Sequence, residues 1–438
     1  MIRFLYNLLF PIALLFFLPS YIGKMLRRGN YSHKFGQRLG FYDRGVRQSL
    51  SSHRWTWIHA VSVGEVMIAL KLAAKLKERE PDLRVALTTT TTTGFALASK
   101  QASRWMEVMY NPLDFWPIMR RAFALIRPAR VVLVEAEVWP NLAAIAHARS
   151  VPLALVNARL SPRSERRFAR FKIFVAPIFR LLDLVCVQEF EDIARWQALG
   201  LAHARIRHVG SIKFDTEEIE VRPEITREIL TLFGIDSTRP ILFGGSTHPG
   251  EEEILAEVYL KLRIQFPTLL LIMAPRHVER TRDISAKLRL LGLRITLRSD
   301  AMPVESTDCV LLDTTGELRD WYSVATVVFV GKSLSARGGQ NPIEPIIAGK
   351  PVIFGPHMEN FAALARSLIA HEGAMQITTA DGLEEKIAAL IENEALRDRL
   401  VGNARRVIAE HRGATARVAE LLLQLDSQTP ARAAEQTS

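Results

Sequence analysis

Glu65 closes the run His59-Ala60-Val61-Ser62-Val63-Gly64, where an apolar strand gives way to a helix. A carboxylate there is able to take a proton from a sugar hydroxyl if partial burial brings its pKa toward the working pH, and His59 and Ser62 are placed to orient it. An acid in a first helical turn also stabilises the helix dipole, and a histidine suits a strand end, so position alone leaves both readings open. A second group lies in VFVGKSLSARGGQNPIEPIIAGKPVIFGP, residues 328–356. An apolar strand ends in glycine there. A loop with Gly338 and Gly339 follows, then a helix opening Asn341-Pro342-Ile343-Glu344, then a second apolar strand. Proline suits a first helical turn, and the unpartnered N–H groups of such a turn attract phosphate. Glu344, one turn in, is placed to accept hydrogen bonds from sugar hydroxyls. This is the layout of a nucleotide site at the carboxyl edge of a parallel sheet, although an ordinary strand, glycine turn and helix would read the same way.

Further candidates end other apolar runs. Ser246 and Thr247, followed by His248 and three acids, are able to donate to a phosphate. Arg276, after Pro275, offers a planar fork to a phosphate or a pyrimidine carbonyl. Lys213 in GSIKFD is another cation for a charged donor. The hydroxyls of Thr88 to Thr93 suit either an acceptor contact or plain strand propensity and a helix cap. Glu135 and Glu137 share one face of an extended strand, a spacing that keeps hydrolase chemistry open. No Walker loop, zinc-ligand spacing, serine nucleophile elbow, GxGxxG fingerprint or DxD-type motif occurs, so no metal or redox cofactor is expected.

The elements that must hold these residues alternate in two series. Apolar runs of strand length, separated by helical periods, predict parallel sheets covered on both faces. The first series runs from WTWIHAVSVGE to LVCVQEF and the second from PILFGGSTHPGEEEI to a weak strand near Met375. The expected class is α/β, with a cleft between two doubly wound domains. The expected divisions are a membrane anchor with its basic flank at 1–28, an N-terminal domain at 29–214, a junction at 215–239, a C-terminal domain at 240–426 and a mobile tail at 427–438. The anchor is the apolar run Phe4 to Ile22, close to the length a bilayer core requires. Of the net charge of +11, residues 1–50 carry +7 through eight Lys or Arg against Asp43. Such a flank stays cytoplasmic and attracts anionic phospholipid head groups. Nucleic acid is not expected as a partner, because the basic cluster adjoins a lipid-seeking run and carries no reading motif. Cys186 and Cys309 sit in apolar runs and read as buried free thiols.

WIHAVSVGE, TTTTTTGF, VEAEVWPNL, NARLSPRS, VGSIKFD, STHPGEEE, APRH, TTGEL, GGQNPIE and FGPHMENF occur in that order from the anchor to about residue 370. Together they resemble the 3-deoxy-D-manno-octulosonic acid (Kdo) transferases, which add Kdo to the lipid A precursor in Gram-negative bacteria. The resemblance implies a GT-B fold of two Rossmann-like domains at the cytoplasmic face of the inner membrane. It also implies metal-independent, inverting transfer from CMP-Kdo. It places the proton acceptor on Glu65 and CMP contacts on Pro275, Arg276, Gly316, Glu317, Leu318, Asn341, Pro342, Ile343 and Glu344. Ala136 stands where the family usually has threonine, and Val187-Gln188-Glu189-Phe190 where a serine is common, which bears on acceptor details.

Overall fold

The structure, a computed structural model, describes residues 3–12, 14–16, 34–135, 138–160, 162–215, 223–236, 238–300 and 307–435. Ala136, Glu137, residues 216–222 of the expected junction and residues 17–28 of the expected anchor and flank lie outside that set. The chain divides into two compact units: Met1–Asp215 with His411–Ser438, and Thr216–Glu410.

The first unit holds seven parallel strands: β1 (Trp55–Ala60), β2 (Val85–Thr89), β3 (Met106–Tyr110), β4 (Pro128–Val134), β5 (Leu153–Ala158), β6 (Leu184–Val187) and β7 (Ile206–His208). Their order is β3-β2-β1-β4-β5-β6-β7. Side chains alternate between two buried faces. Trp55 and Trp57 enter one core with Leu133 and Leu155, while Ile58 and Ala60 enter the other with Val132 and Val156. Burial on both faces is why these strands read as continuous apolar runs rather than alternating ones. Strand order reverses direction between β1 and β4, so the loops leaving those two strands diverge and open a crevice at the carboxyl edge.

The second unit repeats the plan with β8 (Ile241–Thr247), β9 (Leu270–Pro275), β10 (Ile295–Leu297), β11 (Cys309–Leu311), β12 (Val327–Val330), β13 (Val352–Phe354) and β14 (Met375–Gln376). All are parallel, in the order β10-β11-β9-β8-β12-β13-β14. Here the reversal falls between β8 and β12.

Two expected boundaries are corrected. The helix Pro223–Leu232 belongs to the second unit, where the following Phe233 meets Trp321 with ring centroids 5.3 Å apart; it is not part of a linker. The last helix, Ala414–Glu435, belongs to the first unit, not to a second domain ending at 426, and it runs on through most of the expected tail. Val418, Ala419 and Leu422 complete the core beside Val66 and Ile68. Asp215 fixes the start of this helix, accepting from the backbone N–H groups of Gly413 (2.7 Å) and Thr415 (2.8 Å) and from the Thr415 hydroxyl. His411 accepts from the Ser211 N–H at 3.3 Å. A pattern of apolar residues shows that a helix has a face to bury, and says nothing of which unit supplies the partner.

Residues 3–12 are helical and dock on the first unit. Asn7 exchanges amide hydrogen bonds with Asn141 (2.8 and 3.0 Å) and accepts from the Trp116 N–H (3.0 Å), while Phe10 stacks on Phe115. Phe4, Leu8, Ile12, Leu15 and Phe16 remain exposed. Among the described residues no helix is long and apolar enough to cross a membrane.

Replacing Asp215 by Ala removes the capping acceptors of the last helix and is expected to lower stability by about 1–2 kcal/mol. Urea unfolding of the full chain at neutral pH measures the loss.

Candidate active site

Glu65 sits in the first turn of the helix Val63–Arg79, directly after β1 and at the reversal point of the first sheet. Ser62 caps this helix. Its hydroxyl donates to one Glu65 carboxylate oxygen at 2.9 Å and accepts from the Glu65 N–H at 3.4 Å. The other carboxylate oxygen accepts from the Val61 N–H at 2.8 Å. The pair is a capping box, a reciprocal satisfaction of helix-end donors, and it leaves Glu65 with 8% of its surface exposed. Ser62 therefore orients Glu65 as expected.

His59 is placed differently. It is fully buried, with Nδ1 at 3.2 Å from the Thr88 carbonyl oxygen and 3.1 Å from its hydroxyl, and its described hydrogen bonds go to Thr88. Burial drives its pKa down from 6.5 to about 4, opposed by the hydrogen bond to the Thr88 carbonyl. Three threonines of the run, Thr88, Thr89 and Thr91, likewise serve the fold. Thr88 takes the Trp57 indole N–H at 2.9 Å, and the hydroxyls of Thr89 and Thr91 donate to the Val61 carbonyl at 3.2 and 3.1 Å. These threonines hold the loop that carries Ser62.

Across the reversal, β4 ends at Val134, and Glu135 directly after it is left-handed, with φ 65°. Asn157, in β5, has φ 53° and accepts from the Ile212 N–H at 3.0 Å. Lys213 follows that contact. Burial lowers its pKa, the Glu135 carboxylate opposes the shift and Arg159 adds to it. Glu137, the second carboxylate of the expected pair, lies outside the described residues.

In the second unit, the expected residues gather at the carboxyl ends of four neighbouring strands, β11, β9, β8 and β12. Pro275 ends β9; Arg276 is exposed, and its N–H donates to the Thr247 carbonyl at 3.0 Å. Ser246 is left-handed, with φ 53°. The Thr247 hydroxyl is turned inward, donating to buried Glu252 at 3.0 Å, and Arg280 grips the same carboxylate with two bonds at 3.0 and 3.2 Å. Thr247 thus serves the fold rather than presenting a hydroxyl to a phosphate. After β11, Gly316 has φ 94° with open space around it, and Leu318 opens a short helix. Glu317 accepts from Arg298 (3.0 Å) and from the Trp321 indole (3.2 Å).

The segment 341–344 also departs from expectation. The helix is Ile343–Ile347, only five residues long. The Asn341 side-chain oxygen takes the Ile343 N–H at 3.0 Å, and its amide donates to Glu344 at 3.1 Å. Asn341 and Glu344 are therefore joined as expected of one site, but the helix start is not an open row of N–H donors. Ahead of it, the loop from Gly331 closes on itself through Gly339 N–H to Lys332 (2.9 Å) and Gln340 N–H to Gly331 (3.0 Å). Gly331 has no room for a Cβ, which would lie 2.3 Å from the Ser246 carbonyl oxygen. Glu251, absent from the sequence candidates, turns out to hold this loop; the only signal was an acid at the head of GEEE.

Comparison with known proteins agrees with this arrangement. A UDP-GlcNAc 2-epimerase of Neisseria meningitidis shares the fold with a TM-score of 0.55 at 11% identity, over 84% of this chain and 99% of that one. Two parallel-sheet α/β units of this kind are the GT-B class of fold. The family model for 3-deoxy-D-manno-octulosonic-acid transferase (kdotransferase) matches residues 33–216. A 3-deoxy-D-manno-octulosonic acid transferase of Haemophilus influenzae is 33% identical over 96% of this chain and 98% of its own. One from Bordetella pertussis is 35% identical over 84% and 86%. The chain belongs to the 3-deoxy-D-manno-octulosonic acid transferase family and is a glycosyltransferase.

His59 and His411, each lowered from 6.5 to about 4 chiefly by burial, are neutral in the fold at pH 7. Between those values the unfolded chain binds more protons, so their contribution to stability is present above 6.5 and is lost as pH falls toward 4. The expected slope is about 1.4 kcal/mol per pH unit for each histidine. Urea unfolding at pH 7 and pH 5 checks it, and His59→Gln should flatten the dependence.

Proposed function

We propose that the chain transfers Kdo from CMP-Kdo to the lipid A precursor, with inversion and without a metal ion, as a step of lipopolysaccharide core biosynthesis. Family membership supports the reaction class. The observation that carries the mechanism is Glu65, a nearly buried carboxylate held by the Ser62 hydroxyl and the Val61 N–H at the reversal point of its sheet. A carboxylate has about four acceptor directions, so these bonds are compatible with receiving a substrate hydroxyl as well. In this reading Glu65 removes the proton of the glucosamine hydroxyl as its oxygen bonds to the anomeric carbon of Kdo. The bond from that carbon to the CMP phosphate oxygen breaks, and CMP departs with the electron pair.

Negative charge grows on the leaving phosphate, and preorganised donors and cations stabilise it. Arg276, exposed at the end of β9, is the residue we assign to the nucleotide phosphate or base, and Glu344, held by Asn341, to the ribose hydroxyls. Pro275, Gly316, Glu317, Leu318, Pro342 and Ile343 shape the same donor wall. The exposed apolar face of residues 3–16 and the basic flank after it suit an anchor at the cytoplasmic face of the bacterial inner membrane. There the lipid acceptor and anionic phospholipids would both be met.

Glu65→Gln keeps an acceptor for the Val61 N–H but cannot take a proton. It is expected to lower kcat by about 10²-fold or more while CMP affinity, measured calorimetrically, stays at the wild-type value. Near-normal turnover would sink the assignment. Transfer should persist in excess EDTA. Deleting residues 1–28 should move the protein from liposome-bound to soluble fractions in flotation; unchanged binding would refute the anchor.

A further inference from the structure

The Lys332–Ser333–Leu334 turn follows β12 on one side of the second sheet's reversal point, and the His248–Gly250 turn follows β8 on the other. Lys332 is left-handed, with φ 56°, which turns three successive backbone N–H groups toward one point. Such a concave set is an anion nest. Its anion is supplied by the chain. One Glu251 carboxylate oxygen accepts from Ser333 and Leu334 at 3.0 Å each, and the other from Lys332 at 2.7 Å and His248 at 2.9 Å. Glu251 is fully buried. Ser335 donates to the Pro249 carbonyl at 2.9 Å, and Gln340 meets the His248 ring at 3.1 Å, so the same two turns are tied twice more.

We propose that Glu251 is a positioning residue for donor binding. It fills the nest from within and so sets where the loop 331–340 stands relative to Ser246, His248 and the 341–344 segment. This rests on the reading of that segment as part of the donor site. Glu251 need not touch the donor. The carboxylate is matched to four backbone donors. A neutral amide satisfies at most two of the four N–H groups and turns its own donors on the others. The loop then has to move, and with it Lys332, whose amine lies 3.5 Å from the place a Gly338 Cβ would occupy.

The test uses the full chain with Glu251→Gln, measuring donor KM, acceptor KM, kcat and thermal unfolding, with CMP as the calorimetric probe. A displaced donor loop raises the KM for CMP-Kdo and the CMP dissociation constant by about tenfold and leaves acceptor KM unchanged. A merely structural role lowers the folded fraction, and so apparent kcat, at unchanged donor KM, and that result overturns the proposal. If Glu251→Gln does not fold, Ser335→Ala decides. It removes the exposed tie between the same turns and is expected to raise donor KM about threefold; no change there overturns the proposal. Arg276→Ala and Glu344→Ala separate the two failures. If they weaken CMP binding and Glu251→Gln does not, the positioning role is wrong; if none of the three does, the donor-site reading itself is wrong.

Discussion

A carboxylate drawn out of water has to be met by donors, and backbone N–H groups at the mouth of a sheet are the donors that a helix start has to spare. Both units use this constraint at the same place. Glu65 follows the first strand of its unit and Glu251 the first strand of the other; each lies in the first turn of the next helix and reaches back to the turn before it. What separates them is the access. Glu65 holds one described backbone N–H and a hydroxyl and keeps a little exposed surface, which suits a base that must receive a substrate proton. Glu251 holds four backbone N–H groups in full burial, which suits a strut.

The surrounding residues follow from holding these two carboxylates. Thr89 and Thr91 tie down the carbonyl of Val61, whose N–H feeds Glu65. Glu252 and Arg280 brace the turn beside Glu251, with Thr247 as the third member. Glu135, Ser246 and Lys332, at or near strand ends, and Asn157 in β5 adopt left-handed backbone. Such conformations cost of order 1–3 kcal/mol each and persist only where neighbours over-determine them.

Family membership and geometry bear on different parts of the function. Membership carries the reaction class. Geometry separates residues that present groups from residues that support them: Arg276 is exposed, whereas Thr247, His59, Thr88, Thr89 and Thr91 make internal bonds. The N-terminal helix shows the same division within one element. Asn7 and Phe10 fasten it to the first unit, and its other side leaves Phe4, Leu8 and Ile12 uncovered.

Much was legible in the sequence, because parallel strands buried on both faces write themselves as apolar runs and helices as periodic ones. The Glu65 position at a helix start and its Ser62 partner depend on bonds spanning a few residues. The ownership of the last helix could not be read, because Asp215 meets Thr415 across 200 positions. The clamp of Glu251 on residues 81 to 83 positions away was equally hidden, as was the inward turn of Thr247. The sequence alone determined the class of fold, the order of its elements and the family to which its motifs belong. Only the tertiary structure decided which acids are clamped in full burial and which keep an exposed edge, since the donors and the burial around a carboxylate are brought to it by distant segments.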